Sequence, residues 1–340
     1  MITPTMLAWR LKRYGKLSIA LQQMKVATPK PLANQVLIQC EAASLNPVDY
    51  KIAEGQLKLF YKQQMPAPLA FDVAGTIAEV GSNVKGFSVG DAVFACAPTS
   101  SPGSLAPYFC VNANVVAAKP TNISFTEAAS IPLVGLTTLS CFDEVQLKKG
   151  QTVLVQAGSG GVGSFAIQYA KSLGATVICT TSTSNVNWVK ALGADKVIDY
   201  KTENYWEVCP KVDVVFDTLG GDHTLKSFDL LNPGGHVVSI AGRRLTPKAA
   251  DQYGLPKLLK VFMFFQTWSI RKLCKNHQAH YHFILNQPTQ ERLLRIKQLL
   301  ETEKIKPIID EVFAFDDGLK AIQKLHSGRA KGKIVISTKQ

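Results

Sequence analysis

The sequence predicts an α/β protein in two parts: a β-rich N-terminal unit, and a doubly wound parallel sheet. Three observations predict it. Residues 1–125 carry short β-like runs broken by turn signals. From about Ser130 strands and helices alternate, which implies βαβ units and a parallel sheet. Within that alternation stands Ala157-Gly158-Ser159-Gly160-Gly161-Val162-Gly163, a glycine-rich turn between a strand and a helix.

In the N-terminal part, "QVLIQCEAASL" (35–45), "VAGTIAEVG" (73–81) and "DAVFACAP" (91–98) read as strands, punctuated by Gly81, Gly86 and Gly90. The second part opens with strand "TVLVQA" (152–157) and helix "VGSFAIQYAKSL" (162–173). Strand "ATVICTT" (175–181) and helix "SNVNWVKALG" (184–193) follow, then strands "KVIDY" (196–200), "VDVVFDTLG" (212–220) and "GHVVSIAG" (235–242). Apolar runs this continuous suit a parallel sheet buried on both faces. Past Gly242 the pattern blurs. Residues 255–273 are aromatic and apolar with interleaved lysines, open to three readings: a pocket lining, a subunit interface or core. Residues 289–305 and 318–328 read as amphipathic helices, and 332–338 as a last strand.

Composition limits the function classes. The 340 residues are 46% hydrophobic and 19% charged, ordinary for a globular chain. No apolar run reaches the ~18 residues of a membrane span, and the N-terminus lacks an apolar core of signal-peptide length. Seven cysteines without a CxxC pair argue against a disulfide framework and a cysteine-rich zinc site. A reduced, cytoplasmic setting is expected. Of the net charge of +13, the segment 243–340 supplies +11. A solvated lysine-rich face explains this more simply than nucleic-acid binding, for which no motif speaks.

The glycine-rich turn is an AxxGxxG form of the dinucleotide fingerprint. Backbone N–H groups must reach a pyrophosphate at a helix N-terminus. Gly160 removes the side chain that would block the approach, and Gly163 lets helix and strand pack closely. Ser159, Gly160, Gly161, Val162 and Gly163 are therefore candidate pyrophosphate contacts. The next strand end decides between cofactors. It carries Thr180-Thr181-Ser182-Thr183-Ser184-Asn185, with no carboxylate to repel a 2′-phosphate. Thr181, Ser182, Asn187 and Tyr200 are the candidate contacts there, with Lys190 nearby, and NADPH is expected over NADH.

The order of parts resembles the medium-chain dehydrogenase/reductase superfamily, and within it the zinc-free quinone oxidoreductase branch. The stretches that carry the resemblance span nearly the whole chain: "AASLNPVDYK" (42–51), "DVAGTIAEVGSNVKGFSVGDAVFA" (72–95), "AASIPLVGLTTLSCF" (128–142), "AKSLGATVICTTS" (170–182), "LGADKVIDY" (192–200), "VVFDTLGG" (214–221) and "GRAKGKIVIS" (328–337). It implies a GroES-like catalytic domain from 1–128 and 275–340, and a Rossmann NADPH-binding domain from 129–274. Zinc-dependent members carry a cysteine where this chain has Asn46, and Gly-His-Glu where it has Ala70-Phe71-Asp72. The region of their four-cysteine lobe holds only Cys96 and Cys110. Neither zinc site is expected, so no Lewis acid polarises the substrate.

The resemblance further implies a zinc-independent reductase of quinones or α,β-unsaturated carbonyls, working as a homodimer. Asn46, Asp49 and Tyr50 are implied to face the nicotinamide. Asn46 would hold an oxygen and Tyr50 would donate to a developing enolate. For Asp49 an ion pair with Lys51 or a loop cap is an equal reading. Thr137, Leu219, Ala241, Gly242 and Lys333 are implied cofactor contacts. A zinc-independent alcohol or aldehyde reductase stays open, as does a non-catalytic NADPH-binding protein with a basic nucleic-acid-binding face. At helical spacing only His277 and His280 share a face, and His277, His280 and His282 read as surface or pocket-lining histidines before a metal site. The "GRAKGK" run (328–333) is not a phosphate-binding P-loop, because its spacing is too short.

Overall fold

The computed structural model describes residues 2–58, 63–242, 245, 246, 249, 251 and 267–338. The chain divides into two compact units, residues 1–136 with 287–340, and residues 137–286. The second crossing lies beyond the 274/275 boundary read from the sequence. The reason is strand β14, His280–Phe283, which pairs in parallel with its neighbour in the sheet of the second unit. Most of the segment 255–273 lies outside the described residues. Its end forms the helix Trp268–Asn276, with Ile270 buried and Trp268 exposed over a shallow cleft shared with Leu225 and Leu273.

The first unit is β-rich. Strands β1 (Thr5–Leu11), β2 (Leu21–Ala27) and β4 (Ala67–Pro68) form one small sheet in the order β2-β1-β4. The larger sheet runs β15-β16-β3-β5-β6-β8, with β7 also on β3. Its members are β3 (Gln35–Leu45), β5 (Asp72–Val80), β6 (Ala92–Cys96), β7 (Tyr108–Asn112), β8 (Val116–Ala118), β15 (Ile309–Ala314) and β16 (Lys333–Ser337). The last strand therefore returns to the first unit, antiparallel to β3 with Ile334 opposite Leu45. On the other side of β3, β5 packs closely: a Cβ at Gly75 would lie 2.0 Å from the Gln39 carbonyl oxygen.

The second unit holds one parallel sheet in the order β11-β10-β9-β12-β13-β14. Strand β9 (Thr152–Val155) is central, β10 (Thr176–Thr181) and β11 (Lys196–Asp199) lie to one side, and β12 (Val212–Asp217) and β13 (Leu231–Ser239) to the other. The order reverses between β9 and β12. At such a reversal the connecting helices lie on opposite faces, and a crevice opens beyond the carboxyl ends of the strands. Val153, Leu154, Val155, Val214, Val215 and Phe216 are fully buried, which accounts for the unbroken apolar runs in the sequence.

Candidate functional site

Four strand ends of the second unit build the candidate site. After β9 the chain turns at Ala157, whose φ of 51° is left-handed, and enters the helix Gly161–Ser172 with Gly160 as its N-cap. The N-terminus has no side-chain cap and no acidic residue in its first turn. Its first N–H groups thus keep their capacity for an anion. The two glycines have different tasks. A Cβ at Gly163 would lie 2.3 Å from the Ala157 carbonyl oxygen and 2.8 Å from the Gly158 Cα. At Gly160 the nearest atom would be 3.5 Å away, so its missing side chain leaves open space. Gly163 closes the turn onto the helix and Gly160 keeps its mouth clear. Ser159, Gly161 and Val162 are half-buried beside them.

The neighbouring strand end is tied to this turn. The Gly158 amide donates to the Thr180 carbonyl at 2.8 Å, and the Ala157 amide to the Thr180 hydroxyl at 3.2 Å. Thr181 is buried, and its hydroxyl has no hydrogen-bond partner among the described residues. Ser182 accepts from Asn185, and the amide of exposed Tyr200 donates to the Thr181 carbonyl. Asn187 is exposed on the helix Val186–Ala191.

One carboxylate at this corner escaped the sequence reading, which saw none. Asp199, at the end of β11, is the register partner of Thr181. It sits one strand further over, out of sequence reach. The Thr183 hydroxyl, first, and the Lys201 amide hold its carboxyl below the usual range. The Lys201 amide bond is 3.0 Å long.

On the other side of β9, Asp217 fixes the loops. It accepts from the amides of Leu219 (3.0 Å) and Gly220 (2.8 Å), and from the hydroxyls of Thr224 (2.5 Å) and Ser239 (2.8 Å). A Cβ at Gly220, φ 74°, would lie 2.9 Å from the Gly242 amide nitrogen. Leu219 and Ala241–Gly242 are therefore held side by side. Thr137 is buried in the same unit, on the helix Pro132–Glu144. A signal for Asp217 existed in the sequence: an acid closing the fully apolar run "VVFD".

The first unit holds a buried charged cluster. Asn46 precedes the helix Pro47–Ala53. Asp49, fully buried, accepts from the Asn46 amide at 2.7 Å, so it serves as a helix cap. Burial pushes its carboxyl up to about 7, with Asp72 adding to the rise and the Asn46 amide and Lys333 opposing it. Asp72 accepts from the Asn46 Nδ2 (2.8 Å), the Ser44 hydroxyl (2.9 Å) and the Leu133 amide (2.8 Å). The Lys333 ammonium donates to the Leu45 carbonyl (3.0 Å), Asn46 Oδ1 (2.5 Å) and Asp72 Oδ2 (3.4 Å). An ammonium has three donors. All three are directed at partners inside this unit. Tyr50 is half-buried, its ring edge-on to His326 at 4.9 Å. Burial, then Glu54, raises the Tyr50 phenol.

The histidines assort differently from their helical reading. His280 and His282 alternate on strand β14 and share one face. His236, opposite His280 in register, stacks on both rings at 4.9 and 5.3 Å. His282 Nδ1 lies 3.1 Å from Glu144 Oε1, whereas His277 sits apart, 3.5 Å from Asp229. Among the described residues no group of three or more His, Cys, Asp or Glu side chains could hold a metal ion, and no helix is long and apolar enough to cross a membrane.

Two known families match stretches of the chain. Residues 32–121 match the alcohol dehydrogenase GroES-like domain family, and residues 192–336 the zinc-binding dehydrogenase family. The chain is 35% identical to the 2-methylene-furan-3-one reductase of Solanum lycopersicum, over 98% of this chain and 80% of that one. It is 32% identical to the chloroplastic NADPH-dependent alkenal/one oxidoreductase of Arabidopsis thaliana, with the same coverage. Among solved structures, the quinone oxidoreductase from Coxiella burnetii superposes with a TM-score of 0.86 at 32% identity. That match covers 98% of this chain and all of the other.

Proposed function

The chain belongs to the medium-chain dehydrogenase/reductase superfamily and is an oxidoreductase, and from that premise we propose that it reduces quinones or α,β-unsaturated carbonyls with NADPH, without zinc. The observation that carries the proposal is the uncapped N-terminus behind Gly160, where the strand ends of β9, β10, β12 and β13 converge. Ser159–Gly163 would hold the pyrophosphate, with Leu219 and Ala241–Gly242 along the nicotinamide half. Thr181, whose buried hydroxyl is free to donate, with Ser182, Asn187 and Tyr200, would hold the 2′-phosphate. Asp199, held ionised one strand further over by Thr183 and the Lys201 amide, weighs toward NADH at this corner, and the comparison of NADPH with NADH below decides between the two. The similarity to an NADPH-dependent alkenal/one oxidoreductase, a 2-methylene-furan-3-one reductase and a quinone oxidoreductase supports the same cofactor and substrate classes.

The residues at the zinc positions do not fit a zinc ion. Phe71 offers only carbon, Asn46 Oδ1 already accepts from an ammonium, and both oxygens of Asp72 are engaged. A cation beside Lys333 would also meet its charge. Bound NADPH supplies a hydride. Without a Lewis acid the acceptor must be electrophilic by itself, as quinones and enones are. Tyr50 then donates a hydrogen bond or proton to the oxygen that gains charge, and its raised pKa keeps it protonated at neutral pH.

The basic C-terminal third is assigned to a solvated face, since Lys297, Lys320 and Lys324 pair with Glu301, Asp317 and Asp310. Seven free cysteines support a reducing setting, for which we propose the cytoplasm; we also propose a homodimer, which light scattering tests. The deciding experiment is steady-state oxidation of NADPH and NADH against a panel of quinones and enones. NADPH-dependent turnover is expected. Tight NADPH binding without turnover of any acceptor would defeat the proposal.

A further inference from the structure

Resting on the reductase reading above, we propose that Lys333 is a positioning residue: its ammonium is a built-in cation that locks the Asn46 side chain in one orientation. The Asn46 amide lies between two charges. Its Oδ1 accepts from Lys333 at 2.5 Å, and its Nδ2 donates to Asp72 Oδ2 at 2.8 Å. A flip would set an NH2 against an ammonium and an oxygen against a carboxylate. Both contacts would turn repulsive in a site where Asn46 is 1% and Asp72 0% exposed. One Nδ2 proton stays available for an oxygen of the substrate or cofactor.

The chain is built to bring Lys333 there. Gly332 has φ 90°, and a Cβ on it would lie 2.4 Å from the Ile308 carbonyl oxygen. The Lys333 amide donates to that same carbonyl at 2.9 Å. Glycine before lysine is thus required for β16 to enter the sheet at this depth. That requirement explains the "GK" of a run that is not a P-loop. The titratable groups facing the ammonium are Asp72 from β5, Asp49 from the helix Pro47–Ala53 and Cys96 from β6. Asp72 and Asp49 together carry one carboxylate more than Lys333 can balance, and the proton that Asp49 retains by burial evens the count.

The test compares Lys333→Met with the double variant Lys333→Met/Asp72→Asn, which removes both charges at nearly constant shape. Thermal unfolding across pH, the NADPH dissociation constant by fluorescence titration, and kcat and KM are read for each. Lys333→Met is expected to unfold at lower temperature than the wild type, with a deficit that grows as pH rises through neutrality and Asp49 ionises without a counter-charge. The double variant is expected to recover most of the stability, to bind NADPH within about threefold of wild type, and to lose roughly tenfold or more in kcat because Asn46 is no longer held. An NADPH affinity weakened about tenfold or more in the well-folded double variant would make Lys333 a cofactor ligand and overturn the proposal. So would a double variant with wild-type kcat, or a Lys333→Met protein as stable as wild type at every pH. If wild type reduces no acceptor, the reductase reading fails on its own, and the stability and NADPH arms still decide whether Lys333 is an internal cation.

Discussion

Gly160 and Gly163 stand three residues apart in one motif, and adding a single methyl group to each separates binding from folding. At Gly163 the new Cβ would lie 2.3 Å from the Ala157 carbonyl oxygen and 2.8 Å from the Gly158 Cα, both backbone atoms that cannot rotate away. Overpacking of this kind costs about 1–3 kcal/mol. Alanine's better helix propensity offsets up to about 1 kcal/mol of that. For a unit of this size each kcal/mol moves Tm by roughly 2–4 °C, so Gly163→Ala should lower it by several degrees. At Gly160 the nearest atom would be 3.5 Å away and φ is −79°, which suits any residue. Gly160→Ala should therefore unfold like wild type. Its methyl group instead fills the mouth of the turn, and NADPH should bind about tenfold or more weakly, which is ~1.4 kcal/mol. Differential scanning fluorimetry with and without NADPH reads both effects. A Gly163→Ala protein of wild-type stability, or a Gly160→Ala protein of wild-type affinity, would refute the division of labour.

Three further outcomes follow from the geometry. Tyr50→Phe should lower kcat by roughly 10²-fold with little change in KM for NADPH, because it removes a donor to the oxygen that gains charge; a wild-type kcat would remove Tyr50 from the chemistry. Asp49, raised to about 7 by burial, holds its proton in the folded chain and has an ordinary pKa when unfolded. It therefore costs stability progressively as pH rises from about 4 to about 7, at up to ~1.4 kcal/mol per unit. Asp49→Asn lacks this dependence and should gain on wild type in denaturant unfolding at pH 8 relative to pH 5; a constant difference would refute the assignment. Asp217→Ala leaves the Leu219 and Gly220 amides and two hydroxyls without their acceptor. It should cost about 1–3 kcal/mol in unfolding and weaken NADPH binding by loosening both loops; unchanged values on both counts would show that Asp217 does not organise them.

The nucleotide-binding face was legible because its signals are local. Ala157–Gly163, the apolar runs of β9, β10 and β12 and the helix after the turn all lie within stretches of a few residues. What the sequence hid depends on pairing at a distance. Lys333 meets Asn46 and Asp72 only after β16 has paired with β3, nearly three hundred residues away along the chain. Asp199 reaches the cofactor corner through a parallel pairing with β10 that no spacing rule reveals. Strand β14 was missed because "HYHF" buries only Phe283 well and lacks the aliphatic run of its neighbours. Its histidines were therefore read at helical spacing. Strand β1 escaped because exposed Leu7 is apolar and masks its alternation, and β2 because Gln22, Gln23 and Lys25 break up its apolar residues.

The central claim is hydride transfer from NADPH to an acceptor that needs no metal to activate it. The most direct measurement is the initial rate of NADPH oxidation with quinones and enones by protein treated with a zinc chelator, set against NADH under the same conditions. The account predicts undiminished turnover after chelation and a preference for NADPH. Turnover that vanishes with the chelator and returns with stoichiometric zinc would contradict it.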